Sequence, residues 1–184
     1  MFISRFPNNE ADTRISELEK LYSVSLPSSY RSFLAKYNGG DTPETKFSSG
    51  RNSTVLRGFY GFGNVRYSFK SFENMAEWIA TGYFPIACDA FGNYISISLA
   101  DGGIYFVDHE LDFSMGHIAD DFETFIKKCK SKKLSPDVKM SIEEREADLI
   151  SRGKGGNITD GLRKMWQDEI DTYGSMVQER VIIK

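Results

Sequence analysis

One stretch, Phe84 to Glu110, constrains this chain more than any other. It holds two apolar runs, Tyr94-Ile95-Ser96-Ile97-Ser98-Leu99 and Ile104-Tyr105-Phe106-Val107-Asp108, separated by Ala100-Asp101-Gly102-Gly103. The first run alternates with period two, as a half-buried strand does. Asp-Gly between apolar runs is a strong hairpin signal, because these residues tolerate positive φ. The expected register sets Leu99 against Ile104, Ile97 against Phe106 and Ile95 against Asp108. The five apolar residues Ile95, Ile97, Leu99, Ile104 and Phe106 then share a buried face. Tyr94, Ser96, Ser98, Tyr105 and His109 share the other face, and an acidic cluster begins at Asp108.

Around this hairpin the chain reads as alternating helices and strands. Ile15, Leu18, Leu21 and Tyr22 form an apolar stripe on a first helix, which Asn9 or Asp12 can cap. Leu26-Pro27 starts a second helix, with Tyr30, Phe33, Leu34 and Tyr37 at i, i+3, i+4 and i+7. Asn38-Gly39-Gly40 ends it. The polar run from Asp41 to Ser53 reads as a surface loop, and Thr54 to Phe62 as a strand. A further short strand is expected over Val65 to Phe69. A helix capped by Ser71 is expected over Phe72 to Ala80, with Trp78 off its apolar stripe. A loop is expected over Leu111 to Gly116, and a helix from Ile118 to Lys130.

A chain of 184 residues is one domain, or one domain with an extension. Ser135-Pro136 marks the boundary, giving a domain over 1–135 and an extension over 136–184. The extension should hold helices over Ile142 to Arg152 and from Thr159 to Gly174. The second carries the stripe Leu162, Met165, Trp166, Ile170 and Tyr173. A strand over Met176 to Ile183 should follow. The extension has too few apolar residues for a core of its own, so it is expected to pack on the main domain.

Composition excludes several function classes. The net charge of −3 argues against a general nucleic-acid binder. The lysines at 127, 128, 130, 132 and 133 read as a solvated helix end rather than a phosphate-binding patch. Two cysteines without CxxC spacing fit a reducing cytosol. No apolar run reaches the ~20 residues that span a bilayer.

Several motifs together resemble one family. Leu26-Pro27 with Tyr30, Phe33-Leu34 and Asn38-Gly39-Gly40 is similar to the N-terminal motif of the SUKH superfamily, within it the Smi/Knr group. Phe84-Pro85-Ile86-Ala87, Asp89, Gly92-Asn93 and Ile104 to Glu110 resemble its central motif. Ile118-Ala119-Asp120 with Phe122 and Phe125 resembles the helix that follows. The resemblance covers roughly residues 12 to 130. It implies an α+β fold, with a twisted, largely antiparallel sheet, an N-terminal helix pair and further helices packed on it. It also implies a non-enzymatic, cytoplasmic protein-binding module. Many bacterial members resemble immunity proteins that neutralise a polymorphic toxin of the nuclease or deaminase class. Eukaryotic members resemble regulators or scaffolds, which is the alternative; a small-molecule binder is a third reading.

The residues are consistent with a binding role. Asp89, Asp108, His109, Glu110 and Asp112 lack the spacing of a known metal site, and no nucleophile motif accompanies His109. Asp89 and Asp108 also suit turns, where aspartate accepts backbone hydrogen bonds. No cofactor, metal or catalytic residue is expected. The expected partner-binding face comprises Trp78, Asp89, Tyr94, Tyr105, Asp108, His109 and Glu110. Its aromatic centre and acidic edge suit a cognate toxin domain with a basic face.

Overall fold

The computed structural model describes residues 1–50, 52–72 and 74–183. Two compact units emerge: residues 1–132 with 178–184, and residues 133–177. The first is α+β. Among the described residues its nine strands are β1 (Phe2–Arg5), β2 (Gly40–Ser49), β3 (Asn52–Phe59), β4 (Tyr83–Asp89), β5 (Tyr94–Ser98), β6 (Ile104–Asp108), β7 (Ser114–Ala119), β8 (Lys130–Ser131) and β9 (Glu179–Arg180). They form one antiparallel sheet in the order β7-β6-β5-β4-β3-β2-β1-β9, with β8 pairing β2. The expected antiparallel sheet with an N-terminal helix pair is thus present.

That pair is α1 (Ala11–Tyr22) and α2 (Ser28–Tyr37). All four residues of the predicted α2 stripe are buried. They meet a second aromatic stripe on α4 (Phe122–Lys128) and Phe59 of the sheet. Ring centroids lie 5.1 Å apart for Phe33 and Phe122, 5.0 Å for Phe33 and Phe59, and 5.2 Å for Tyr30 and Phe122. Burying each such ring contributes roughly 1.5 to 3 kcal/mol, so this layer dominates the core. On α1, Leu21 is exposed rather than part of the stripe; Ile15 and Leu18 carry the contact.

The Asn38-Gly39 pair explains how α2 is anchored. Asn38 stops the helix in the left-handed conformation, at φ 52°. Its buried amide donates to the carbonyls of Pro7 (2.7 Å) and Phe62 (3.1 Å), and accepts the Phe62 N–H (2.8 Å). Gly39, at φ 73°, passes so close to Tyr60 that a Cβ would lie 2.4 Å from its carbonyl oxygen. Only glycine fits there.

The structure corrects several local expectations. The run from Asp41 is no loop: it lies in β2, where Thr42, Thr45 and Phe47 are buried. The proline at 43 is tolerated because the ladder with β3 is interrupted between Asp41 and Thr45. Val65 to Phe69 forms turns leading into a 3₁₀ turn at Phe69–Ser71, and α3 is short, spanning Met75–Ala80. Ile118 belongs to strand β7, and α4 starts only after Asp121, whose carboxylate accepts the Thr124 N–H at 2.6 Å. The hairpin register also differs. Ile97 faces Ile104, Ile95 faces Phe106 and Tyr94 faces Val107. The reason is a longer loop: Gly102, at φ 77°, donates to the Ser98 carbonyl, and Asp101 accepts the Gly103 N–H. A shift of two residues leaves the paired side chains on their expected faces, because strands have period two, but Leu99 falls beyond the end of β5 and both it and Phe106 are only half-buried. Ile95, Ile97 and Ile104 are buried as expected.

The second unit contains α5 (Ile142–Ser151) and α6 (Asp160–Tyr173). A Ser141–Glu144 capping box opens α5 and Thr159 caps α6. Trp166 is buried, with the guanidinium of buried Arg145 5.8 Å from its ring, whereas Met165 is exposed. The final strand is shorter than expected and pairs with β1 (Ile3 with Glu179). Among the described residues, no helix is long and apolar enough to cross a membrane.

Candidate interaction surface

The strand register puts Tyr94, Ser96, Tyr105, Val107, Met115 and His117 on the sheet face opposite the α2–α4 core. Over Tyr94 lies α3. Its Trp78 ring stands edge-on to Phe72 (6.0 Å), Tyr94 (5.8 Å) and Phe113 (6.0 Å). Trp78 is therefore half-buried, wedged among three aromatics with part of its ring left open. A cleft of about 450 Å³ opens on one side, lined by Tyr60, Arg66, Tyr67, Phe72, Trp78, Tyr94 and Phe113 among others. Arg66 is tied to Asp41 at 3.2 Å. Burial pushes the Asp41 carboxyl above its usual range, and Arg66 opposes that shift. The thiol of Cys88, across the sheet from Tyr94, is pushed up to about 11, chiefly by burial.

At the end of the sheet two loops come together. The β4–β5 turn carries Phe91, and the β6–β7 loop carries Leu111 and Phe113. These residues are 67%, 64% and 49% exposed, and Met115, at the start of β7, is 39% exposed. Scattered exposed apolar residues are ordinary; three large ones on two adjoining loops, with Met115 beside them, make this a candidate interaction surface. Asp112 and Phe113 both hold left-handed backbone, at φ 51° and 55°. Two successive non-glycine residues in that region are strained, at roughly 1 to 2 kcal/mol each.

A buried polar chain braces the two loops. Asp89 is almost fully buried. One of its oxygens accepts the N–H groups of Phe91 and Asn93, both at 2.8 Å. The other accepts the Thr54 hydroxyl at 2.6 Å and the Asn93 side-chain amide at 2.9 Å. Because that amide nitrogen is used, Asn93 Oδ1 must be an acceptor. It accepts the His109 backbone N–H (3.2 Å) and lies 2.8 Å from His109 Nδ1. The proton therefore sits on Nδ1, leaving Nε2 as the ring's other polar atom. Gly92, at φ 90°, lies beneath the imidazole: a Cβ there would approach His109 Cε1 to 3.3 Å.

The seven residues expected on the binding face are thus sorted. Trp78 and Tyr94 form the aromatic wall, and Asp108, His109 and Glu110 lie at the β6–β7 loop beside it. Asp108 accepts the Glu110 N–H at 2.9 Å, as a turn aspartate does. Tyr105 is on the same face but further along, packed between Tyr83 (5.0 Å) and His117 (5.3 Å). Asp89 lies inside, where its carboxylate positions the loop. Sequence reasoning missed Phe91, Asn93, Leu111, Phe113 and Met115. For the last three, the alternation Leu111-Asp112-Phe113-Ser114-Met115 was the visible signal, and for Asn93 the Gly92-Asn93 motif. Among the described residues, no group of three or more His, Cys, Asp and Glu is placed to hold a metal ion.

The model of the SMI1 / KNR4 family (SUKH-1) matches residues 11–128. The chain belongs to that family. It is also 31% identical over 147 residues to the SPbeta prophage-derived uncharacterized protein YokK of Bacillus subtilis (strain 168), covering 66% of this chain and 76% of that protein. The family match includes the Asn38 anchor, Trp78 and both loops. In this SUKH-1 member the resemblance therefore extends over the candidate surface as well as the core.

Proposed function

We propose that this SUKH-1 protein is an immunity protein that neutralises a polymorphic toxin of the nuclease or deaminase class by covering its active site. The observation that carries this reading is the pairing of four exposed apolar side chains with a braced, partly strained loop frame. A surface held rigid before contact loses little entropy on binding. Phe91, Leu111, Phe113 and Met115 supply the apolar centre, and Asp108, Glu110 and Asp112 the acidic edge. Carboxylates there suit a toxin whose basic face engages phosphate, speeding association and competing with its substrate. No bond-making step is required of any residue. The prophage origin of the Bacillus subtilis relative fits a protein that travels with a toxin better than a housekeeping regulator.

The test is protection in cells. The reading frames neighbouring the gene are screened for a toxin domain, which is expressed with wild-type protein, or with Phe113→Glu or Leu111→Asp. Both positions are exposed, so the variants should fold. Survival with wild type and death with either variant is the expected result. Survival with both folded variants would remove this face from the interface, and death with wild type would remove the immunity reading.

A further inference from the structure

Adjoining the large cleft, and sharing Asn74, Trp78 and Phe113 with it, lies a smaller notch of about 290 Å³, lined also by Glu77, Thr81 and Met115. We propose that this notch receives a single arginine side chain from the bound protein, an inference that rests on the binding-surface reading above.

The notch differs from the cleft in charge. Arg66 lines the cleft, whereas among the described residues the notch has one carboxylate, Glu77, and no basic residue. Two rings form its walls: Trp78 and Phe113 are 6.0 Å apart and inclined at 80°. A cation over an aromatic face is attracted by the ring quadrupole, most strongly at tryptophan. The Asn74 amide, the Thr81 hydroxyl and the Met115 thioether line the remainder. Aromatic face, carboxylate and neutral polar groups together describe a site for a cation. An apolar side chain there would cover Glu77 without pairing it, which is unfavourable.

The volume is at the lower edge of small-ligand pockets and suits one long side chain. Arginine fits better than lysine, because its planar guanidinium stacks on a ring while its edge donates two hydrogen bonds to a carboxylate. The walls are already in place. Phe72 and Tyr94 flank Trp78 on its other sides, and Phe113 stands edge-on to it. Acidic Glu110 and Asp112, on the loop that carries Phe113, add attraction for a basic residue on approach.

The test uses full-length protein and two blocked pentapeptides, Gly-Gly-Arg-Gly-Gly and its norleucine counterpart, followed by the indole N–H signals of Trp78 and Trp166 in NMR spectra. The arginine peptide should shift the Trp78 signal saturably and leave Trp166 unmoved, while the norleucine peptide shifts neither. Glu77→Gln, an exposed position, should weaken the arginine peptide by roughly tenfold. Equal binding of the norleucine peptide, an unchanged affinity in E77Q, or no Trp78 shift with the arginine peptide would each overturn the proposal. A failed titration beside intact protection in cells removes the notch alone; a successful titration beside failed protection removes the immunity reading alone.

Discussion

Asp89 is the residue whose removal should reach furthest, because it joins the core to both loops of the candidate surface. Asp89→Ala leaves four donors without their acceptor: the N–H groups of Phe91 and Asn93, the Thr54 hydroxyl and the Asn93 amide. Phe91 is exposed and water can replace its bond. Thr54 and Asn93 are buried, so their three donors cannot be so readily hydrated. Each buried unsatisfied group costs about 1 to 3 kcal/mol, and relaxation makes the sum less than additive, giving roughly 3 to 5 kcal/mol. Asp89→Asn is the sharper probe. Its oxygen can keep the two backbone N–H groups while its amide faces Thr54 and Asn93. The threonine hydroxyl can turn and accept. Asn93 must rotate its amide to present oxygen, which aims its nitrogen at the two His109 donors. Asp89→Asn should therefore cost only about 1 to 2 kcal/mol, yet change the His109 tautomer. Urea unfolding measures the first quantity and nitrogen-15 shifts of the imidazole the second. Variants that both unfold within about 0.5 kcal/mol of wild type would refute the brace. An unchanged His109 tautomer in a folded Asp89→Asn protein would refute the relay.

Three further outcomes are expected. Asp121→Ala should cost about 1 kcal/mol in urea unfolding, since its carboxylate caps α4. Its pKa is lowered mainly by the Thr124 N–H, so this contribution is present above the ordinary aspartate range and lost as pH falls through the depressed folded value; wild type and variant should converge in strong acid. Cys88 and Cys129 are pushed up to about 11 and about 12, mainly by burial. Both should resist iodoacetamide in native protein at pH 8 and react on unfolding; fast labelling of either would contradict its placement. In residues 133–177, Arg145 Nη1 meets Glu169 at 2.6 Å, while its buried Nε and Nη2 have no hydrogen-bond partner among the described residues. Glu169→Ala should destabilise by about 3 kcal/mol and Arg145→Met by little or nothing; the reverse order in thermal or urea unfolding would refute that account.

What was legible in the sequence follows from which forces act locally. The α2 stripe was readable because four large side chains repeat at helical spacing, and burial only confirms what the period dictates. The hairpin faces were readable for the same reason, but the register was not. It depends on a loop closed by the Ser98 carbonyl, Asp101 and Gly102, and spacing alone does not distinguish loop lengths. Strand β2 was missed because its buried positions include Thr42 and Thr45, whose polar side chains resemble a loop in composition. Thr45 is accommodated by its hydroxyl contacts with the Pro43 carbonyl (3.3 Å) and Ser131 (2.8 Å). Trp78 stood out by lying off its helix stripe, and the structure places it in an aromatic wall. Phe113 did not stand out, because aspartate at 112 tolerates left-handed backbone but nothing about a phenylalanine at 113 announces it. Asp89 was legible in kind, as a turn acceptor, but its burial depends on Thr54 from another strand.

The pairing of β1 with β9 has a consequence for how the protein is made. Ile3 meets Glu179, and the Tyr37 hydroxyl accepts the Ile182 N–H at 2.9 Å, so one margin of the sheet is assembled from segments far apart in the chain. A ribosome adding 5 to 20 residues per second needs about 2 to 9 s to pass from Lys133 to Val177. Throughout that interval β1 is an open edge, able to accept a strand from a neighbouring nascent chain. Crowded polysomes should therefore favour swapped or aggregated products, and the yield of active protein should depend on translation speed across this segment more than on the stability of the finished fold.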